Sequence, residues 1–548
     1  MRKQIIKFLF LLLAFGYAME AKSGEFTVDG IRYYYTNEDD DEVSVTYSSS
    51  GKYSGNIVIP STVTYNGKQY TVTKIGTGAF RDCTGLTAVT LPNAMTSIGR
   101  NAFRDCTGLT TVTISNSVTS IGSYAFYGCT GLTEVTIPNA VTSIGSRAFS
   151  GCTGLTEVTI PNAVTYIGER AFEGCSGLTT VTIGNSVTTI EERAFTSCSG
   201  LTTVIWNARN AEYYNGLSYD SPFSNCDRLT DFVFGEEVEH IPALLCCELA
   251  SLKNLVIGNS VTSIGISAFD GCSGLTEVIW NARNVQDFQD NSSRPFSGCD
   301  RLTDFVFGEE VEHIPDYLCY QLTSLNTIVI PNSVTSIGTN AFSFCSGLKT
   351  VTIPNSVTNI GSSAFEDCTE LKTVTIGNSV TDIGDEAFSS CFNLTEVSIP
   401  NSVTSIGDEA FYFCTDLKTV TIGNSVKSIG DKAFYHCSSL EHVTSKAVTP
   451  PQIWAMTFDD YGMPFYVPAG CKPKYAEAEY WNNFTDIRET GVTLHTVTAN
   501  ATDETMGYVT GGGEYPQGST ATLIAVPFGQ NYFVRWNDGN TDNPRTIT

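Results

Sequence analysis

Leu155-Thr-Glu-Val-Thr-Ile160-Pro-Asn-Ala-Val-Thr-Tyr-Ile-Gly-Glu-Arg-Ala-Phe-Glu-Gly-Cys175 decides the fold, because this stretch recurs along the chain with a period of 23 residues. Sixteen copies begin with a short strand of the form L-x-x-V-x-I, and all but two of them, which follow steps of 28 and 27, start 23 residues after the copy before. The first leucines of these strands are Leu86, Leu109, Leu132, Leu155, Leu178, Leu201, Leu229, Leu252, Leu275, Leu302, Leu325, Leu348, Leu371, Leu394, Leu417 and Leu440. A short, regular period of this kind is typical of a solenoid in which each repeat supplies one rung.

The apolar positions within one repeat predict how neighbouring repeats pack. Leu, Val and Ile of the strand face inward, and Val164, Ile167 and Phe172 extend the same apolar side into the turn. One repeat cannot bury this side alone, so stacked repeats must share a core. We therefore predict a curved parallel β-sheet of about 16 rungs, with short β, 3₁₀ or helical turns on its other side.

The repeats resemble leucine-rich repeats, specifically the BspA-like subclass that occurs on surface proteins of bacteria and some protozoa. The resemblance covers roughly residues 25–487 and rests on the motifs P-N-S-V-T-S-I-G and A-F-x-x-C. It implies a leucine-rich-repeat solenoid that is capped at both ends, since an end rung would otherwise expose core and unpaired strand edge. Residues 29–35 and 56–80 resemble the N-terminal cap of this family, and residues 448–451, 466–470 and 480–481 resemble its closing unit.

The composition changes after about Gly491, which predicts a further domain. Residues 508–515 and 526–536 resemble a bacterial β-rich repeat module similar to the divergent internalin B-repeat. Such a module would continue beyond Thr548 with another strand, so we expect it to be truncated here. The predicted organisation is a signal peptide at 1–21, an N-terminal cap at 22–71, the solenoid at 72–447, its C-terminal cap at 448–490 and an all-β module at 491–548.

Charge and the first residues bear on location and partners. The formal net charge of -26 argues against nucleic acid and against an anionic membrane surface, because both need clustered Lys and Arg. Arg2, Lys3 and Lys7 precede an apolar run at 8–15, which is shorter than the ~20 residues that span a bilayer. We therefore predict an exported protein, secreted or at the cell surface, that does not insert into the membrane after signal cleavage.

The 18 cysteines are predicted to be core residues. Fourteen of them, from Cys83 through Cys437, lie three residues before the leucine of a rung, and Leu249 and Leu322 occupy the same slot in the two remaining rungs. A slot that accepts leucine is an apolar packing site, where a free thiol behaves as a small hydrophobic group. Stacking also brings neighbouring thiols close together, so the sequence leaves disulfides open. Trp206 and Trp280 fall at inward positions and are likewise predicted to be core.

No motif predicts catalysis, a metal or a cofactor. The five histidines show no nucleophile–base arrangement, and Cys246-Cys247 lacks the spacing of a metal cluster. The acidic run at 37–42 suits a solvated hairpin better than a calcium site. We therefore predict that the protein is not an enzyme and needs no cofactor.

A change of residue type on the exposed side of the sheet marks a candidate binding surface. The position between the inward Val and Ile is Thr or Ser in the first five and last five rungs. In the six rungs between them it is β-branched and apolar, and these candidate residues are Ile205, Val233, Val256, Ile279, Val306 and Val329, called here the apolar stripe. An exposed apolar patch of this size normally has a partner. Strand propensity alone, or cover by a neighbouring loop or the inserts, would be the alternatives.

The two long rungs belong to a tandem duplication of about 73 residues whose inserts differ. Residues 227–242 and 300–315 have one identical sequence, whereas 212–219 and 286–290 have diverged. Loops on a rigid scaffold often carry recognition. We therefore take Tyr213, Tyr214, Tyr219 and Phe288 of the inserts as candidate anchors.

These features predict a secreted or cell-surface protein that mediates protein–protein interaction or adhesion through its curved sheet. The family resemblance suggests adhesion and an extracellular or surface protein as partner, including a host matrix protein. Two alternatives stay open: a carbohydrate-binding surface module, in which tyrosine rings stack on a glycan, and a purely structural spacer. The sequence makes no prediction of oligomeric state.

Overall fold

The computed structural model describes residues 24–36, 40–48, 52–214, 221–290, 292–491, 494–516, 519–529 and 531–547. The chain divides into two compact units, an N-terminal unit of residues 1–275 and a C-terminal unit of residues 276–548. The predicted signal peptide lies outside the described residues. Among the residues described, no helix is both long and apolar enough to cross a membrane.

The N-terminal unit begins with a small sheet that covers the first rung. Its strands are Gly24–Val28, Ile31–Tyr35, Glu42–Val45, Gly55–Val58, Thr62–Tyr65 and Lys68–Ile75. The early strands pair antiparallel as hairpins, whereas Gly55–Val58 pairs in parallel with the first repeat strand. Aromatic packing fills the space between them: the rings of Phe26 and Tyr65 stack at 4.4 Å, and Tyr33 is fully buried.

Each rung contributes one strand to a first ladder, formed by the L-x-x-V-x-I segments. In the N-terminal unit these strands are Leu86–Thr90, Thr111–Thr113, Glu134–Val135, Glu157–Thr159, Thr180–Ile183, Thr203–Trp206, Asp231–Phe234 and Asn254–Ile257. Strands of adjacent rungs pair in parallel with matching positions opposite each other, as in Val158 with Val181 and Val181 with Val204. This register follows from the repeat, because any slip would turn the apolar side outward.

A second ladder is formed by the short segment that ends in isoleucine before the turn. In the N-terminal unit its strands are Ser97–Ile98, Ser120–Ile121, Ser143–Ile144, Tyr166–Ile167, Thr189–Glu191, Glu212–Tyr214, His240–Ile241 and Ser263–Ile264. The Ala-Phe segment that follows is a run of hydrogen-bonded turns instead of a helical turn. The residue before Ala has a left-handed φ, for example 55° at Asn101, and this conformation stops a helix from continuing.

The C-terminal unit repeats this arrangement. Its first-ladder strands are Glu277–Trp280, Asp304–Phe307, Thr327–Val329, Thr350–Thr352, Thr373–Thr375, Glu396–Ser398, Thr419–Ile422 and His442–Ser445, followed by Pro464–Pro468 and Asp486–Thr490. Its second-ladder strands are His313–Ile314, Ser336–Ile337, Asn359–Ile360, Asp382–Ile383, Ser405–Ile406 and Ser428–Ile429. The predicted solenoid of stacked parallel strands is therefore confirmed in both units.

The end of the chain is built differently. Lys472–Glu477 is a short α-helix and Trp481–Asn483 a 3₁₀ turn, and Trp481 is fully buried against Phe465 with a ring separation of 4.7 Å. The last strands are Leu494–Val497, Gly507–Thr510, Gly513–Pro516, Ala521–Pro527 and Arg545–Ile547, and their pairing is antiparallel.

Stacked phenylalanines and thiols form the centre of the core. In the N-terminal unit one ring per rung stacks on the next with centroid separations of 5.0–5.2 Å, along the series Phe80, Phe103, Phe126, Phe149, Phe172, Phe195 and Phe223. All 18 cysteines are buried and have free thiols, and Cys106 Sγ donates to the carbonyl of Phe80 in the preceding rung at 2.9 Å. The predicted burial of the cysteines is confirmed, and so is that of Trp206 and Trp280, which are both 0% exposed.

Two rungs exchange the roles of these core residues. Cys246 takes the phenylalanine position and Leu249 the cysteine position, while the adjacent strand carries Phe232 and Phe234 where other rungs have Val and Ile. The ring of Phe232 lies edge-on to Phe223 at 5.5 Å, and that of Phe234 lies edge-on to Phe269 at 6.2 Å. The strand therefore fills the space that the turn leaves. In the C-terminal unit, Cys319, Leu322, Phe305 and Phe307 make the same exchange.

Candidate functional site

The apolar stripe of the N-terminal unit lies on the outer side of the first ladder. Ile205 pairs with Val233, and Val233 pairs with Val256, so the three side chains form a row across adjacent strands. Their neighbours along each strand point into the core, as the alternating burial of Asp231–Phe234 shows. Val233 is 48% exposed and Val256 is 43% exposed, while Ile205 is half-buried.

The C-terminal unit carries the second part of the stripe. Ile279 pairs with Val306, and Val306 pairs with Val329. Val306 is 47% exposed and Val329 is 78% exposed, whereas Ile279 is half-buried. In each unit, then, two of the three predicted residues present a methyl-bearing surface to solvent. Neither insert covers these four valines.

Polar groups border the stripe in both units. Arg209 and Asn210 both donate to the carboxylate of Glu239, and Arg283 and Asn284 donate in the same way to Glu312. The hydrogen bond from its arginine, followed by that from its asparagine, lowers the pKa of each glutamate. Both carboxylates therefore stay ionised and paired near neutral pH, so the border is polar and fixed in place.

The insert residues do not all behave as predicted. Phe288 is only 5% exposed, so its prediction as an exposed anchor is wrong: the insert folds inward, and Val285 beside it is also buried. The backbone of Tyr213 and Tyr214 forms the second-ladder strand Glu212–Tyr214. Tyr219 lies outside the described residues. An aromatic residue in a long loop can either reach outward or fold back, and composition does not decide between the two.

A hydrogen-bonded chain that the sequence analysis missed holds the insert of the C-terminal unit. His313 Nδ1 lies 2.7 Å from Ser336 Oγ, and His313 Nε2 lies 2.7 Å from Asp287 Oδ1. Asp287 Oδ1 also accepts the backbone N–H of Asp316 at 3.1 Å. The two strands that carry His313 and Ser336 are adjacent, but Asp287 comes from the insert, so only the folded chain brings the three together.

This chain has the residue types of a hydrolytic triad but not its surroundings. Catalysis by a serine also needs free N–H groups that stabilise the oxyanion. The N–H of Gly338 already donates to Ile314 O at 2.9 Å, and that of Thr339 donates to Asp316 Oδ1 at 2.6 Å. We therefore assign Asp287, His313 and Ser336 to holding the insert in place. The duplicated copy keeps His240 bonded to Ser263 at 2.7 Å but has Tyr213 at the position of Asp287.

Removing this carboxylate should loosen the insert. Asp287→Ala is expected to raise hydrogen exchange of residues 285–290, because the tether to His313 and to the Asp316 N–H is lost. Global stability should fall by no more than about 1 kcal/mol, since a half-exposed ion pair contributes little. His240→Ala, in the copy that lacks the carboxylate, is the control and should leave exchange of residues 285–290 unchanged. Unchanged protection in Asp287→Ala would show that packing of Phe288 alone fixes the insert.

The remaining polar groups form no recognisable metal centre. In the part of the chain that the structure describes, no three His, Cys, Asp or Glu side chains converge in a way that could hold a metal ion. Burial raises the pKa of the core thiols, to about 12 for Cys106, Cys345 and Cys414, so they remain protonated and are poor metal ligands.

Comparisons with known proteins agree with this architecture. A leucine-rich repeat protein from Bacteroides ovatus is 26% identical, with 85% of this chain and 99% of that chain covered and a TM-score of 0.39. A leucine rich cell surface protein from Faecalibacterium prausnitzii is 26% identical, with coverages of 77% and 95% and a TM-score of 0.29. The T. pallidum leucine rich repeat protein is 29% identical, with coverages of 39% and 89% and a TM-score of 0.31. No curated protein matches the chain significantly.

The family is identified by its repeats. The model of the BspA type leucine rich repeat region matches residues 73–202, 119–244, 219–349 and 312–441, which together span more than half of the chain. The match includes the apolar stripe, the duplicated rungs and most of both ladders. Leucine-rich-repeat proteins are scaffolds that bind other proteins, and the exposed ladder side chains described above belong to such a scaffold. The chain is a member of the BspA-type leucine-rich-repeat family.

Proposed function

We propose that the protein is exported and binds an extracellular or surface protein through the apolar stripe, without catalysis. The observation that carries this proposal is the exposure of Val233, Val256, Val306 and Val329 at strand positions where most other rungs have Thr or Ser. Exposed methyl groups are a cost in water unless a partner covers them. Adhesion, export by the segment at 1–21 and the domain bounds predicted from the sequence are parts of the same proposal.

The stripe suits contact by area and shape. Its valines have rigid side chains on paired strands, so little conformational entropy is lost when a partner covers them. The ion-paired glutamates at its border suit a polar rim, which would set orientation more than affinity. The overall negative charge would disfavour acidic partners at low salt.

Changing the four exposed valines to threonine should abolish capture of the partner. Threonine has the shape of valine and already occupies this position in other rungs, so the fold should be retained while the methyl surface is interrupted. We expect the parent chain to retain a protein from extracellular-matrix and surface-protein extracts, and the variant to lose it by tenfold or more, about 1.4 kcal/mol.

A matched control keeps the number of exposed changes constant. Thr113, Thr136, Thr352 and Thr375 lie at the same strand position outside the stripe, and their replacement by serine should leave capture unchanged. Both variants must keep the circular dichroism and melting temperature of the parent. Equal capture by the valine variant and the parent would contradict the proposed site.

A further inference from the structure

One backbone position in each turn is nearly always held by a small or turn-forming residue. The residue just before the ladder cysteine has a left-handed φ, between 53° and 73°. Its occupants in most rungs are Asp82, Asp105, Gly128, Gly151, Gly174, Ser197, Asn225, Gly271, Gly298, Asp367 and Ser390. Such residues tolerate this conformation, whereas a bulky L-residue adopts it at a cost of roughly 1–2 kcal/mol.

Two successive rungs of the C-terminal unit place an aromatic ring at this unfavourable position. Phe413 has a φ of 59° and His436 a φ of 62°. Their rings contact each other at 4.6 Å, and each also contacts the tyrosine before it: Phe413 with Tyr412 at 4.9 Å and His436 with Tyr435 at 4.4 Å. We call Tyr412, Phe413, Tyr435 and His436 the aromatic cluster.

The aromatic cluster contributes little to the core. The buried rings of these rungs are those of Phe411 and Phe434, which are 0% and 1% exposed. Phe413 is 37% exposed, and the side chain of His436 is 44% exposed. The chain therefore carries both backbone strain and exposed ring surface at one place. Strain that the core does not offset is typical of sites that act on a ligand.

The charge around the aromatic cluster is negative. The neighbouring turns carry one lysine, Lys432, which Glu409 already binds at 2.8 Å. Asp459 accepts the backbone N–H of His436 at 2.6 Å and lies 3.2 Å from His436 Nδ1. The other acidic side chains of these turns are Asp385, Glu386, Asp408 and Asp431. Ring faces and carboxylates both attract cations, whereas an anionic ligand would be repelled.

We propose that the aromatic cluster binds arginine or lysine side chains of a basic segment in a partner protein. A guanidinium or ammonium group would lie on the face of Phe413 and Tyr412, with the neighbouring carboxylates supplying the opposite charge. Arginine suits such a site best, because its planar group stacks on a ring and still donates hydrogen bonds at its edge. This surface is on the turns and is distinct from the apolar stripe on the first ladder.

The test measures binding of a labelled peptide of alternating glycine and arginine to the full chain by fluorescence anisotropy. A peptide in which citrulline replaces arginine has the same shape without the charge. We expect the parent to bind the arginine peptide and to bind the citrulline peptide at least tenfold more weakly. Phe413→Ser together with His436→Ser should weaken binding of the arginine peptide about tenfold, as two lost ring contacts imply. Ser390 holds the same position in an earlier rung, so the melting temperature should be unchanged or higher.

Phe344→Ser is the matched control. Phe344 has the same backbone position with a φ of 60°, but its ring packs on Tyr320 at 5.4 Å instead of joining the aromatic cluster. It should bind the arginine peptide as the parent does. Equal binding by the double variant and the parent would overturn the proposal, because attraction to the acidic chain alone would then explain it. Capture of neutral oligosaccharides such as chitohexaose, lost in the double variant while the arginine peptide is unaffected, would also overturn it in favour of a sugar platform.

Discussion

The repeats are expected to unfold when the pH is raised from 8 to 10 under reducing conditions. The ladder thiols are buried between rungs, and burial raises the pKa of Cys106, Cys345 and Cys414 to about 12. In the unfolded chain the same groups have the ordinary thiol pKa of about 8.5. A pKa that is higher in the folded state gives stability that is complete below pH 8.5 and is lost as the pH rises toward 12.

The expected effect is large because the thiols titrate together. Above pH 8.5 each one reduces the free energy of unfolding by about 1.4 kcal/mol per pH unit, or about 2 kcal/mol by pH 10. A handful of such losses exceeds the 5–15 kcal/mol by which a typical domain is stable. Fourteen cysteines occupy the ladder slot, so the repeats have more than enough of them.

The measurement is a series of urea unfolding curves from pH 7 to pH 10.5, combined with mass spectrometry after iodoacetamide treatment. Alkylation should remain slow until unfolding begins. The control is Cys152→Ala with Cys175→Ala, which removes two titrating groups and should reduce the slope of stability against pH by about 2.8 kcal/mol per unit. A parent protein whose stability is the same at pH 8 and pH 10.5 would refute this account of the thiols.

The second large effect concerns the exchanged core residues of the rung that contains Cys246. Changing Cys246→Phe and Leu249→Cys gives the turn the residues of its neighbours, yet it should destabilise the unit by about 3 kcal/mol or more, because Phe232 and Phe234 already fill that space. Changing the strand alone, by Phe232→Val and Phe234→Ile, should cost about as much by leaving a cavity.

The combined four-residue variant should regain most of the stability of the parent, since its rung then has the packing of the other rungs. The coupling between turn and strand, obtained from chemical unfolding of the four proteins, should be several kcal/mol and favourable. Additive losses would mean that the rings of Phe232 and Phe234 do not replace the missing phenylalanine. The same four changes at Cys319, Leu322, Phe305 and Phe307 provide an independent repeat of the test.

The architecture could be predicted because the physical constraint is repeated sixteen times along the sequence. One apolar position, such as the leucine that opens each strand, fixes the register of every rung, and the structure has the predicted strand in each of them. Left-handed turns in place of helical ones were not predicted. A position occupied by Asp105, Gly128 or Ser197 does not by itself distinguish a turn from a helix end.

The candidate sites were less predictable, because they depend on departures from the repeat. Exposure of the stripe follows from strand alternation, which the sequence contains. The burial of Phe288 and the tether of Asp287 to His313 depend on how an insert folds back, and no period constrains an insert. The aromatic cluster could have been found as the place where Phe413 and His436 interrupt a row of small residues, but its unfavourable φ is visible only in the structure.

The exchange of Phe and Cys has a consequence for how such chains lengthen. The residues that depend on each other, Phe232 and Phe234 in the strand and Cys246 and Leu249 in the turn, lie within 18 positions of one sequence segment. A duplication of about 73 residues copies both halves of the exchange at once, as the set from Phe305 to Leu322 demonstrates. The new rungs are therefore compatible with the old ones as soon as they arise. Evolution can add length in one genetic event, and only the inserts need to change before a new surface comes under selection.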